Sequence, residues 1–68
     1  MELFRYYSKG GQLCIVHTFH HEDRFNKEWS LRINLEPYDY YKREQDAKSA
    51  GTRLKKELIK NGITILED

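Results

Sequence analysis

The stretch 29-WSLRINLEPYDYY-41 decides how the chain is laid out. Trp29, Leu31, Ile33 and Leu35 alternate with Ser30, Arg32, Asn34 and Glu36, and a period of two puts the apolar four on one face of an extended strand. The pattern predicts a strand over 29–36 that ends at Pro37, which has no N–H to give to a ladder. Beyond it the apolar residues Ala47, Ala50, Gly51, Leu54 and Leu58 follow helical spacing and form one stripe. A helix is predicted over 39–61, with Asp39 as its N-cap and the KNG run at 60–62 as its stop. Gly51, one turn after Ala47, lets that helix approach a sheet closely, and Trp29 is the expected occupant of the gap.

Upstream, ELFRYYS (2–8) and QLCIVHTF (12–19) flank Lys9-Gly10-Gly11 and read as a β-hairpin. A two-residue loop places Phe4 and Tyr6 on the same face as Leu13, Ile15, His17 and Phe19. Leu3, Arg5, Tyr7, Cys14, Val16, Thr18 and His20 then face the other way, whereas a three-residue loop reverses the first strand relative to the second. HHEDRFNK (20–27) reads as a polar loop carrying Phe25. After the helix, Gly62 fits the left-handed C′ position and Ile63 the contact that follows it, and ITIL (63–66) reads as a last strand. The expected architecture is α+β: a four-stranded mixed sheet in the order β-β-β-α-β, one helix packed on one face, in a single domain over 1–68. The crossover should bring the last strand back parallel to the third, or to the first if it adds at that edge.

At 68 residues, a chain buries only about 60% of the surface it exposes when unfolded. With Cys14 its one cysteine, an internal disulfide is excluded, which leaves packing, self-association or a metal as stabilisers. The N-terminal MELFRYYSKGG has no signal-peptide pattern and no run is long and apolar enough to span a membrane, so a cytoplasmic protein is expected. Twelve basic residues face eleven acidic ones, yet between Lys42 and Lys60 seven basic residues stand against three acidic. The positive charge is gathered on the helix.

LCIVHTFHH (13–21) places a cysteine and three histidines in nine residues. Along a straight strand His17 and His21 are about 13 Å apart, so they cannot share an ion, and no metal or other cofactor is expected. Cys14 lies in an apolar strand with no neighbouring cation to activate it. An enzyme is not expected; the least favoured reading is a small nuclease using His20 or His21 with Arg5, Arg24 or Arg32.

A lone helix leaves one sheet face for water or a partner. The leading reading is a non-enzymatic binding or regulatory protein, of inhibitor or adaptor type, that docks on a protein partner through that face and the adjacent loop. By size, small bacterial or phage accessory proteins are the analogy. Under the two-residue loop the open face carries Leu3, Tyr7, Cys14 and Val16 among Arg5, Thr18, Arg32 and Asn34. Arg5, Tyr7, His20, Phe25 and Arg32 are the candidate contacts, and a homodimer is a second use of the same face. The alternative is RNA or DNA binding through Tyr40, Tyr41, Lys42, Arg43, Lys48, Lys55, Lys56 and Lys60, whose cations could contact several phosphates. Residues 42–58 resemble the basic, alanine-containing last helix of double-stranded-RNA-binding domains. The likeness covers only this helix, and the first helix of that family is missing.

Overall fold

Asn34 and Leu35 both adopt positive φ, +52° and +72°, the pattern of a two-residue type I′ hairpin turn. The computed structural model describes residues 1–22 and 26–66, and the turn splits the expected single strand in two. The elements are β1 (Glu2–Tyr7), β2 (Leu13–His20), β3 (Trp29–Ile33), β4 (Glu36–Tyr41), α1 (Glu44–Lys60) and β5 (Ile65–Leu66). They form a five-stranded sheet in the order β4-β3-β2-β1-β5, and every pairing is antiparallel. The α+β class and the single helix on one face are as expected; the four-stranded mixed sheet is corrected to five antiparallel strands.

Pro37 does not end the third strand but sits inside β4, opposite Arg32. An edge strand tolerates a proline because one side of its backbone has no ladder to feed. Asp39 is likewise a strand residue, paired with Leu31, and not an N-cap. The helix begins five residues later, with Arg43 at the cap position and no side-chain cap. The added strand also reverses the direction in which the chain enters the helix. The last strand therefore joins the β1 edge antiparallel to β1, with Arg5 opposite Leu66, instead of parallel to it.

The first hairpin has the longer of the two loops. Ser8 N–H donates to Gln12 O, Gly11 N–H donates to Ser8 O, both at 2.9 Å, and Gly11 alone in the loop has positive φ. This is a three-residue loop closed by a left-handed glycine. It pairs Tyr6 with Cys14 and Phe4 with Val16, which reverses the facing of β2 expected from a two-residue loop. Phe4, Tyr6, Cys14, Val16, Leu31 and Ala50 make the buried core, with Leu3, Ile33, Tyr41, Leu54, Leu58, Ile63 and Ile65 packed around it. A register shift between Glu2 and Phe4 turns Leu3 inward beside Phe4.

Gly51 does mark the close approach of helix to sheet. A Cβ there would lie 2.5 Å from Leu3 Cδ1 and 3.5 Å from Leu31 Cδ1, so these leucines, and not Trp29, fill the gap. The helix stops as predicted: Gly62 has φ +85°, and Ile63 N–H donates to Leu58 O while Gly62 N–H donates to Ile59 O, both at 3.0 Å, a Schellman closure. Among the described residues no helix is long and apolar enough to cross a membrane.

Candidate functional site

The face of the sheet away from the helix is built in rows, because paired residues on neighbouring strands point the same way. Tyr40, Ser30 and Phe19 form one row. Pro37, Arg32, His17 and Glu2 form the next. Ile15, Arg5 and Leu66 form a third, and Leu13 and Tyr7 a fourth. Tyr7 is 53% exposed, Phe19 45% and Tyr40 43%, with Leu13 and Leu66 also exposed. The face therefore presents an aromatic row, a charged row and an aliphatic region with Tyr7 at its far end.

Arg32 is held from three sides. Its Nε donates to Ser30 Oγ at 3.0 Å, Nη1 reaches Leu35 O at 3.5 Å, and the guanidinium carbon lies 4.5 Å from the centre of the Phe19 ring. Ser30 is fully buried although it belongs to the open face, so the hydroxyl that orients Arg32 is itself fixed. Among the described residues no carboxylate pairs with Arg32. Arg5 differs: its Nε and Nη2 each donate to a Glu2 carboxylate oxygen at 2.8 Å. That fork holds the Glu2 carboxyl below its ordinary pKa, burial opposing it only in part.

His17 sits half-buried in the charged row. Burial is the main cause that pushes its pKa below the ordinary value, with the Met1 amino group and Arg32 adding to it and Glu2 opposing. Beside it, Ile15, Asn34, Leu35, Met1 and Glu2 line a shallow cleft. Asn34 builds the floor of this end: its Oδ1 accepts from Ile15 N–H at 2.9 Å and its Nδ2 donates to Leu13 O at 3.1 Å. Leu35 stands at the rim, 71% exposed.

Of the expected docking residues, Arg5, Tyr7 and Arg32 lie together on this face. His20 does not: it points to the helix side, its ring 4.7 Å from that of Trp29 and its Nε2 3.4 Å from Glu28 Oε2. Phe25 and Arg24 lie outside the described residues. Leu3, Cys14, Val16 and Thr18, expected outward, are directed to the helix, and Leu13, Ile15, His17 and Phe19 replace them. The residues that sequence reasoning missed are thus the odd-numbered side of β2, together with Leu35 and Leu66. A three-residue loop was the one available signal for the former. His17 and His20 fall on opposite faces, and among the described residues no three His, Cys, Asp or Glu side chains cluster as metal ligands.

The residues of the nucleic-acid alternative are dispersed. Tyr40 is on the open face, its ring edge-on to His21 at 5.7 Å. Tyr41 is turned to the helix side, where burial and the nearby Asp39 raise its pKa. Lys42 is exposed ahead of the helix, Arg43 pairs with Asp46 at 3.2 Å, and Lys48 with Glu44 at 2.9 Å. Lys48 and Lys55 border the seam between helix and β1. Lys56 and Lys60 lie on another row, roughly 100° around the helix axis at 3.6 residues per turn.

Comparison with protein-family models, with curated proteins and with solved structures gives no match. The functional reading rests on the face itself.

Proposed function

We propose that the chain is a binding module that docks on a protein partner through the open face of its sheet. The observation that carries this is the surface just described: exposed Tyr7, Phe19, Tyr40, Leu13, Leu35 and Leu66 around an oriented arginine. Tyrosine, phenylalanine and arginine are the side chains enriched where proteins meet. The sheet edges favour the face over strand addition. At the β4 edge Pro37 has no N–H, and the Tyr40 N–H is taken at 2.8 Å by Asp39 Oδ1. At the other edge the described part of β5 is two residues long, Ile65 and Leu66. Nucleic-acid binding through the helix has less support, because its cations are spread around the helix and the tyrosines are divided between opposite sides.

Photocrosslinking tests the reading in cells that express the chain. Benzoylphenylalanine in place of Tyr7 or Tyr40 should give a discrete protein adduct that excess unlabelled chain competes away. The same group in place of Arg53, on the helix surface, should not. Adducts formed from the helix position alone, or with nucleic acid in place of protein, would sink the proposal.

A further inference from the structure

We infer that the partner is acidic: the open face receives a protein segment whose carboxylate pairs with Arg32 and whose apolar side chains lie against the rows on either side. This rests on the docking reading above and adds the chemistry of what docks. Three features of the charged row point to a carboxylate. Arg32 is oriented in advance, by the buried Ser30 hydroxyl at Nε and by the Phe19 ring beneath the guanidinium. A guanidinium so fixed loses little freedom when it takes up a planar, two-oxygen partner. Its charge has no carboxylate partner among the described residues. The one acid in the same row, Glu2, is occupied by both hydrogen bonds from Arg5.

Other occupants fit less well. In a second copy meeting this face about a two-fold axis, residue i of one copy meets residue j of the other. The carboxylate in the charged row that could then reach Arg32 across the axis is Glu2, which already accepts two hydrogen bonds from Arg5. A single-stranded nucleic acid would find aromatic rings for stacking. Its backbone, however, asks for a track of cations, and among the described residues the rows of this face offer Arg32 and an Arg5 already committed to Glu2. The aliphatic side chains of Leu13, Ile15, Leu35 and Leu66 suit apolar protein side chains better than bases.

His17 gives the interaction a sign in pH. The groups facing it are Glu2 from β1, Arg32 from β3 and the Met1 amino group. In the free protein, burial and the two cations favour the neutral ring. A carboxylate brought to Arg32, the direct cross-strand neighbour of His17, favours the charged ring. Binding therefore takes up a proton, and affinity must rise as pH falls through the bound-state pKa of His17.

Selection of random peptides displayed on phage against the full chain, followed by calorimetry on the enriched sequences, tests this. The expected enrichment is for Asp or Glu next to aromatic or aliphatic residues. Arg32→Ala and Arg32→Gln should each weaken binding roughly tenfold or more, with Lys56→Ala near the parent value; urea melts verify that the variants fold. Lowering the pH from about 7.5 to about 6 should tighten binding, and His17→Gln should remove that dependence. Peptides without acidic residues that nevertheless need Tyr7 and Phe19 would overturn the carboxylate assignment and leave docking standing. Failure to enrich any peptide, with binding of a single-stranded oligonucleotide lost on Phe19→Ala, would overturn both.

Discussion

Leu35 sets local backbone energetics against surface chemistry. At the second position of a type I′ turn glycine is the favoured residue, and a leucine at φ +72° bears a cost of about 1 kcal/mol or more. The same side chain is largely exposed, so no burial offsets that cost. A strained, solvent-facing leucine on the rim of the cleft beside His17 and Ile15 is consistent with a contact residue whose apolar surface is covered by the partner. Leu35→Gly should therefore stabilise the free chain by roughly 0.5–1 kcal/mol, read as a higher urea midpoint, while weakening peptide binding. A fall in the midpoint would mean that the leucine stabilises the fold, and the strain argument would be lost. The residue also explains why this turn was hidden. With leucine in place of glycine, the apolar positions 29, 31, 33 and 35 run through the turn as if the strand continued.

At the level of elements, the sequence was legible where one pattern had one meaning and illegible where two meanings shared a pattern. The helix stripe, the glycine at its C-terminus and the hairpin at Lys9-Gly10-Gly11 could each be read directly. The faces of β2 could not, because Leu13, Ile15 and Phe19 are as apolar as Cys14, Val16 and Thr18, and only the loop length chooses between them. Arg5, Tyr7 and Arg32 were still placed correctly, since their strands kept the expected facing. Pro37 misled for a physical reason: a residue that cannot feed a ladder marks either the end of a strand or the outer side of an edge. Here it marks the edge, and together with the Asp39 carboxylate on Tyr40 N–H it closes β4 to further strands. Pro37→Val combined with Asp39→Thr should open that edge and make the chain associate through strand pairing, seen by light scattering as a mass that rises with concentration beyond the parent's. An unchanged mass would show that neither residue guards the edge.

Across the whole molecule, the titrating groups act in the same direction on each limb of the pH profile. His17 has a folded pKa below its ordinary 6.5, chiefly through burial. Its contribution to stability is fully present above that value and is lost as pH falls through the folded pKa, because the unfolded chain takes up the proton that the folded chain refuses. Glu2, held below its ordinary 4.5 by Arg5, acts the same way further down, weakly because it is exposed. Tyr6, raised above 10.0 by burial and by the Cys14 thiol, and Tyr41, raised mainly by burial, act at the other end. Their stabilisation is present below 10.0 and lost as pH rises through the folded values. Urea midpoints should therefore form a plateau that breaks first on the acid side, beginning near the ordinary His pKa, and later on the alkaline side. His17→Gln should extend the plateau down to the carboxylate range; if the acid break stays where it was, burial of His17 is not its cause. The proposed docking reverses the sign for the same ring, since a carboxylate at Arg32 favours the protonated form that the free fold disfavours. Mild acid should thus lower the stability of the free chain while raising its affinity. Both effects should disappear together in the glutamine variant, which ties the two to one side chain.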